Sequence, residues 1–214
     1  MMKSAALVII DMQRDFCCPG GYADRAGLDV EQLAAPIPKI VRLLDRFRTK
    51  GMTVIYTREG HRRDLSDCSP RKLHRSVLAG AAIGSEGALG RALVRGEYGH
   101  DIVDELSAQP GDIVIDKPGY SAFHATDLDH ILRARAIETL ILTGVTTDVC
   151  VHSTLRSAID HGYDCLTVSD ATACHDPRIQ HAMLQLIEGE SNIFGRVMAC
   201  DLLCAALDDQ EVFA

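Results

Sequence analysis

Short runs of apolar, often β-branched residues recur along the chain and constrain its fold more than any other feature. Five runs lie at Ala5–Ile10, Thr53–Tyr56, Asp112–Ile115, Thr139–Leu142 and Asp164–Val168, and a weaker sixth lies at Arg196–Ala199. These runs do not alternate polar with apolar residues. Each is therefore typical of a strand that is covered on both faces, as strands in parallel sheets are.

Amphipathic stretches with helical spacing separate these runs. They lie at Val30–Lys50, Thr126–Arg135, Val149–His161 and Asp176–Glu188. The first ends in a lysine followed by Gly51, which is typical of a helix C-terminus. Alternating strands and helices predict an α/β fold in which helices cover both faces of a parallel sheet.

The segment Glu59–Leu106 contains no clear element and is rich in glycine and charged residues. A connection this long is usually functional or lies at an interface. No repeat or linker divides the chain, and its 214 residues suffice for one full hydrophobic core. We therefore predict a single domain over residues 1–214.

Composition and charge exclude several classes of function. Hydrophobic residues make up 47% of the chain and charged residues 24%, the balance of a globular protein. The formal net charge is -8 and no lysine or arginine cluster with interleaved aromatic residues is present, so a nucleic-acid partner is not expected. The first apolar run breaks at Asp11 and is too short to cross a bilayer. We predict a cytoplasmic protein without membrane contact.

The eight cysteines do not form a recognisable disulfide or metal pattern. Cys17 and Cys18 are adjacent, Cys200 and Cys204 have helical spacing, and no C-x-x-C pair occurs. A zinc ribbon and a thioredoxin motif are therefore not supported. We expect most of these cysteines to be reduced and to pack as small apolar side chains.

Three reactive side chains follow the predicted strands. Asp11 ends the first strand, Lys117 ends the third, and Cys150 lies shortly after the fourth, near the start of a helix. Ligands of open parallel sheets bind beyond the carboxyl ends of the strands, so we expect these side chains at one rim. Each residue alone has another explanation. Asp11 could cap the following segment, Lys117 could be an exposed loop lysine, and Cys150 could be a buried packing residue.

Together the three side chains predict nucleophilic catalysis. A thiol attacks as the thiolate, and its pKa falls beside a cation and at a helix N-terminus. We therefore expect Lys117 and the helix dipole to lower the pKa of Cys150. Asp11 would accept the thiol proton and later donate it to the departing amine. Backbone N–H groups of Val145–Cys150 are placed to stabilise an oxyanion.

The motifs around these residues read ALVIIDMQRDF, DIVIDKPGYSAF and ILTGVTTDVCVHST. With them, the chain resembles the isochorismatase-like cysteine hydrolases from about Ala5 to Leu207. The resemblance implies a three-layer α/β/α sandwich, a six-stranded parallel sheet in the order 3-2-1-4-5-6, and Asp11, Lys117 and Cys150 as the catalytic residues.

The resemblance also implies an oxyanion site and substrate contacts. A cis peptide bond between Val145 and Thr146 would orient the N–H groups of Thr146 and Cys150 toward the oxyanion. Phe16 would pack against the substrate, and Phe123 would either line the site or pack in the core. Glu190 stands where biuret hydrolases carry glutamine. A carboxylate only accepts hydrogen bonds whereas glutamine also donates them, so this difference affects the choice of substrate.

Within the family, the likeness is nearest to the biuret and ureidoacrylate hydrolases. It implies hydrolysis of a small linear ureido or carbamoyl compound through a Cys150 thioester, with release of ammonia or an amine. It implies no cofactor and no metal, and a homo-oligomer that is a dimer or a tetramer.

Two alternatives remain open. Glu59, His61 and His74 loosely resemble the metal ligands of nicotinamidases, although the spacing and the first ligand differ. Hydrolysis of an aromatic carboxamide, with a metal at these residues, is therefore the second hypothesis. The third is a non-catalytic relative that serves as a binding or redox-sensing module.

Overall fold

The structure is a computed structural model that describes residues 4–209. Its strands are β1 (Ala5–Ile10), β2 (Thr53–Glu59), β3 (Ile113–Lys117), β4 (Thr139–Val145), β5 (Asp164–Ala173) and β6 (Arg196–Met198). They form one parallel sheet in the order β3-β2-β1-β4-β5-β6, which confirms the predicted order. Glu86–Gly87 and Gly90–Arg91 pair separately as a short antiparallel ribbon.

Helices connect the strands. They are α1 (Arg14–Cys17), α2 (Tyr22–Arg25), α3 (Val30–Ala34), α4 (Ile37–Thr49), α5 (Pro70–Leu78), α6 (Leu128–Ala134), α7 (His152–Asp160), α8 (Pro177–Ile187), α9 (Gly189–Asn192) and α10 (Cys200–Asp209). A 3-10 turn spans Asp104–Leu106, and a π-helical turn spans Thr147–Val151. Within residues 4–209, no helix is long and apolar enough to cross a membrane.

The central strand β1 shows why the sheet is covered on both faces. All six of its residues are buried. Leu7 and Ile9 pack in one apolar cluster with α4 and α10, while Val8 and Ile10 pack in a second cluster with α6 and α7. Because successive side chains of a strand point to opposite faces, an unbroken apolar run fills both layers. The three-layer sandwich predicted above is confirmed.

Two predictions of element boundaries are wrong. The predicted helix Val30–Lys50 is split into α3 and α4. The break follows from Pro36 and Pro38, because proline has no N–H to donate to the preceding helical turn. Several strands also run further than their apolar cores: β5 continues to Ala173, and β2 continues to Glu59. Its last residues are polar but remain paired with β3.

The expectation that Glu59–Leu106 lacks a clear element is also wrong. Helix α5 lies within it and is capped by Ser69, whose side chain accepts a hydrogen bond from the backbone N–H of Lys72 at 3.2 Å. Pro70 occupies the first helical turn, a position that proline favours. The helix has only nine residues and is mostly polar, so few apolar residues mark it in the sequence.

The close approach of β1 and β4 depends on a glycine. Gly144 has φ +98°, and a Cβ there would lie 2.1 Å from the Ile10 carbonyl oxygen. Gly111 has a similar φ of +103°, but nothing lies within 4 Å of its Cβ position. The two glycines therefore share a left-handed backbone and differ in steric surroundings.

We expect Gly144→Ala to reduce the free energy of unfolding more than Gly111→Ala does. Backbone strain alone costs about 1–3 kcal/mol, and we expect this loss for Gly111→Ala. The contact with Ile10 should add at least about 2 kcal/mol for Gly144→Ala. Urea denaturation of both variants measures the difference. Equal losses would show that close packing at Gly144 does not constrain the sheet.

Candidate active site

Neighbouring strands deliver charged side chains to one rim of the sheet. Glu59 and Lys117 are register partners across β2 and β3. Asp11 directly follows β1, and its backbone N–H donates to the Thr57 carbonyl of β2 at 3.1 Å. Thr57 and Glu59 are two residues apart and share a face of the sheet. This register lets the long side chain of Lys117 cross β2 and reach Asp11, although their strands are not neighbours.

The Lys117 ammonium is the centre of this cluster and is completely buried. Its Nζ lies 2.7 Å from Asp11 Oδ2 and 3.6 Å from Glu59 Oε2. It also donates to the Gly119 carbonyl at 2.9 Å. The second oxygen of Asp11 accepts a hydrogen bond of 2.7 Å from the Thr57 hydroxyl. Both carboxylates are thus held in place around one cation.

Cys150 reaches the same cluster from β4. The π-helical turn that follows this strand carries the cysteine, which is 4% exposed. Its thiol donates to Glu59 Oε2 at 3.3 Å. The thiol sulfur and oxygens of Asp11 and Glu59 all lie within 4.8 Å of one another. The structure therefore brings together Asp11, Lys117 and Cys150, the three residues that the sequence singled out.

Glu59 and Lys72 complete the cluster, and the sequence did not assign them to it. Lys72 extends from α5, and its Nζ lies 2.6 Å from Glu59 Oε1 and 2.6 Å from the Pro118 carbonyl oxygen. The Gln13 side chain donates to the Glu59 carbonyl at 3.0 Å and accepts from the Glu59 N–H at 2.7 Å. Glu59 lies at the carboxyl end of β2, and Asp11 lies directly after the carboxyl end of β1. This shared position is the signal that could have identified Glu59 from the sequence.

Burial determines the protonation state of the thiol. It raises the pKa of Cys150 well above the ordinary value; the Lys117 ammonium opposes this shift, whereas Asp11 and Glu59 add to it. The Lys117 ammonium lowers this pKa as predicted, but the net shift in the free site is upward. Desolvation and two carboxylates outweigh one cation, so the thiol keeps its proton until a base removes it.

The two carboxylates have opposite pKa shifts. Burial raises the pKa of Asp11; Lys117 opposes this shift and the charge of Glu59 reinforces it. Burial also disfavours the charged form of Glu59, but Lys117 and Lys72 outweigh it and hold the pKa of Glu59 below its ordinary value. The carboxylate with the higher pKa is the stronger base. Asp11 is therefore better suited to accept a proton, and Glu59 to remain ionised.

A cavity of about 280 Å³ opens onto the thiol. Most of its wall is apolar or aromatic, and the residues nearest the chemistry are Phe16, Tyr22, Glu59, Tyr120, Thr146 and Cys150. Asp11 and Lys117 are not among the lining residues and lie behind Glu59 and the thiol. The cavity suits a small, largely enclosed ligand whose reacting group meets Cys150.

The residues expected to contact the substrate are divided between this cavity and other places. Phe16 and Thr146 border it. Val145 is buried, and its peptide bond to Thr146 is cis, as the resemblance implied. Phe123 packs elsewhere: its ring stacks on His161 with centroids 4.8 Å apart. Glu190 is exposed in α9 with φ 50° and does not border the cavity.

The metal ligands of the second hypothesis are not brought together. Glu59 instead contacts the ammonium groups of Lys72 and Lys117. His61 is buried with Nδ1 3.2 Å from an Asp67 oxygen, and His74 is exposed on α5. Within the described part of the chain, the convergent set of possible ligands comprises Asp11, Glu59 and Cys150 and includes neither histidine.

The chain is similar to known proteins in sequence and in fold. A family model described as the isochorismatase domain matches residues 5–201. The ureidoacrylate amidohydrolase RutB of Serratia proteamaculans is 36% identical over 209 residues, which cover 96% of this chain and 83% of that protein. The solved structure of a cysteine hydrolase from Pseudomonas syringae pv. phaseolicola is similar, with a TM-score of 0.82 and 29% identity over 96% of this chain and 93% of that chain. N-carbamoylsarcosine amidase from Thermoplasma acidophilum has a TM-score of 0.69 and 26% identity, covering 92% and 97%.

We expect Asp11→Asn to make the Cys150 thiol more reactive toward iodoacetamide near pH 8. The substitution removes a negative charge that raises the thiol pKa, while Lys117 remains beside the sulfur. Alkylation should accelerate up to tenfold for each unit by which the pKa falls. Peptide mass spectrometry separates Cys150 from the other cysteines.

Asp101→Asn provides the control for this measurement, because the side chain of Asp101 is 59% exposed and belongs to a surface ion pair. It should leave the alkylation rate unchanged. An unchanged or slower rate for Asp11→Asn would show that Asp11 does not keep the thiol protonated.

Proposed function

Since the chain belongs to the isochorismatase family and is a hydrolase of amide C–N bonds, we propose that it cleaves a small ureido or carbamoyl compound through a thioester at Cys150. One observation carries this proposal: a buried thiol, two carboxylates and an ammonium converge at the cavity. A nucleophile, a proton acceptor and a charge-balancing cation are what acyl transfer to sulfur requires.

The reaction begins with transfer of the thiol proton to Asp11. The thiolate attacks the carbonyl carbon, and the oxygen becomes an oxyanion that accepts hydrogen bonds from the N–H groups of Thr146 and Cys150. The C–N bond then breaks, and Asp11 returns its proton to the departing nitrogen. Ammonia or an amine leaves, and the acyl group stays on sulfur as a thioester.

Water completes the cycle. It attacks the thioester carbon while Asp11 accepts its proton, and the sulfur leaves as a thiolate that takes the proton back. Lys117 keeps its charge throughout: burial favours the neutral amine, but Asp11, the Cys150 sulfur and Glu59 raise its pKa. A permanently charged ammonium beside the sulfur stabilises the thiolate in both half-reactions.

Cavity size and the relatives' substrates support the class of compound. A cavity of about 280 Å³ holds a molecule of a few heavy atoms rather than a peptide. One relative is named for ureidoacrylate and one structural neighbour for N-carbamoylsarcosine. Both names describe a carbamoyl nitrogen compound, so we assign the same class to this chain.

We expect Cys150→Ala to abolish ammonia or amine release from every substrate that the wild-type protein accepts, because no thioester can form. The panel comprises biuret, triuret, ureidoacrylate, N-carbamoyl amino acids and nicotinamide. Acid quenching followed by mass spectrometry should detect the acyl group on the Cys150 peptide of the wild-type protein.

Cys204→Ala is the matched control, since Cys204 is a buried cysteine on α10, outside the cavity lining. It should retain activity. Full product release by Cys150→Ala would exclude the nucleophile, and nicotinamide as the sole substrate would exclude the ureido class.

A further inference from the structure

The two carboxylates beside the thiol occupy different positions relative to the cavity. Glu59 borders it, and its Oε2 is the oxygen that contacts the Cys150 sulfur at 3.3 Å. Asp11 is not a lining residue and is 1% exposed. A substrate carbonyl bound to the sulfur therefore meets Glu59 on the open side of the thiol. Glu59 takes part in none of the proton transfers of the proposed reaction.

Glu59 is held as a fixed hydrogen-bond acceptor. Its Oε1 contacts the Lys72 ammonium at 2.6 Å. The Gln13 side chain forms hydrogen bonds with both the backbone N–H and the backbone carbonyl of Glu59. Lys72 is itself largely buried, with 10% of its side chain exposed. The other oxygen, Oε2, accepts from the Cys150 thiol in the free site and loses that donor when the thiolate forms. It can then accept a hydrogen bond from a ligand, and a carboxylate oxygen accepts but does not donate.

The tetrahedral carbon on sulfur carries three other groups, and each needs a suitable neighbour. The oxyanion is repelled by carboxylates and faces backbone N–H groups. In the proposed reaction the departing nitrogen takes its proton from Asp11. The third group remains in the acyl enzyme, and Glu59, the carboxylate that borders the cavity, is the side chain left to meet it. In a ureido compound this retained group is a nitrogen that bears N–H, whereas in a carboxamide it is carbon.

We propose that Glu59 Oε2 accepts a hydrogen bond from the retained N–H of the substrate and thereby selects ureido compounds over carboxamides. Lys72 is the positioning residue that keeps Glu59 ionised and turned toward the sulfur. This inference rests on the proposed function and adds its specificity-determining contact. A carboxamide would place a C–H group against Glu59 Oε2, and this buried oxygen would then receive no hydrogen bond from the ligand.

The test compares two compounds that differ at one atom position. In 3-ureidopropanoate the retained group is N–H, and in 5-amino-5-oxopentanoate it is CH₂. The ratio of their kcat/KM values is measured for the wild-type protein and for Glu59→Gln. In this variant, the donor-only Lys72 ammonium holds the glutamine oxygen, so the amide NH₂ points toward the sulfur and cannot accept. We expect the ratio to fall about 10- to 100-fold, mostly through the ureido compound.

Glu188→Gln, which changes an exposed carboxylate at the end of α8, should leave the ratio at its wild-type value. An equal loss for both compounds in Glu59→Gln would overturn the inference, because Glu59 would then act only through charge balance. If the wild-type protein hydrolyses the ureido panel and the ratio does not respond, the proposed function stands and this inference fails. If the wild-type protein hydrolyses neither 3-ureidopropanoate nor 5-amino-5-oxopentanoate nor any ureido compound of the panel, the proposed function itself is wrong.

The pH profile tests Lys72 separately. Glu59 accepts the N–H bond when ionised, above its lowered pKa, and loses it as pH falls through that pKa. Lys72→Met removes a cation that lowers the pKa of Glu59. The acid limb of kcat/KM for 3-ureidopropanoate should therefore move to higher pH, while that for 5-amino-5-oxopentanoate should move less.

Lys72→Arg keeps the charge and should restore the wild-type acid limb. An equal displacement of both profiles, or none, would contradict the role of Lys72. Should Lys72→Met fail to fold, the substrate ratio of Glu59→Gln still decides the inference.

Discussion

The ion cluster around the buried Lys117 ammonium is the interaction on which the site depends. Transfer of an ammonium out of water costs several kcal/mol unless carboxylates and hydrogen bonds surround it. Asp11 and Glu59 supply the carboxylates, and Lys72 balances the second of them. The four groups together carry no net charge. The sheet can therefore bury a reactive centre at its rim, and the thiol meets charges that are already fixed.

The same cluster separates the roles of two chemically similar carboxylates. Asp11 has one cationic neighbour and is the more basic, whereas Glu59 has two and stays ionised. A thiol between them keeps its proton in the free site, which protects it from side reactions. Substrate binding then supplies the carbonyl to attack, and Asp11 is the group ready to receive the proton. Identical functional groups thus differ through their neighbours alone.

Much of this arrangement could be predicted from the sequence, and the remainder has physical reasons for escaping prediction. Asp11, Lys117 and Cys150 each follow an apolar run, so the rule for parallel sheets locates them. Glu59 was considered only as a possible metal ligand and not as a partner of Lys117, because β2 was expected to end at Tyr56, before its polar residues. The pKa of the thiol could not be predicted in sign, since burial is a property of the packed fold and of no local motif.

The pairing of Glu59 with Lys72 also has an evolutionary consequence. Loss of either residue alone leaves a buried charge without its partner, but loss of both preserves neutrality. These two positions should therefore covary among relatives, changing together between charged and uncharged pairs across the gap from β2 to α5. A lineage that exchanges the pair would keep the nucleophile and its base while altering which acyl groups reach them. Because each single replacement leaves one buried charge unpaired, exchange of the pair passes through a destabilised intermediate, and this couples the two substitutions.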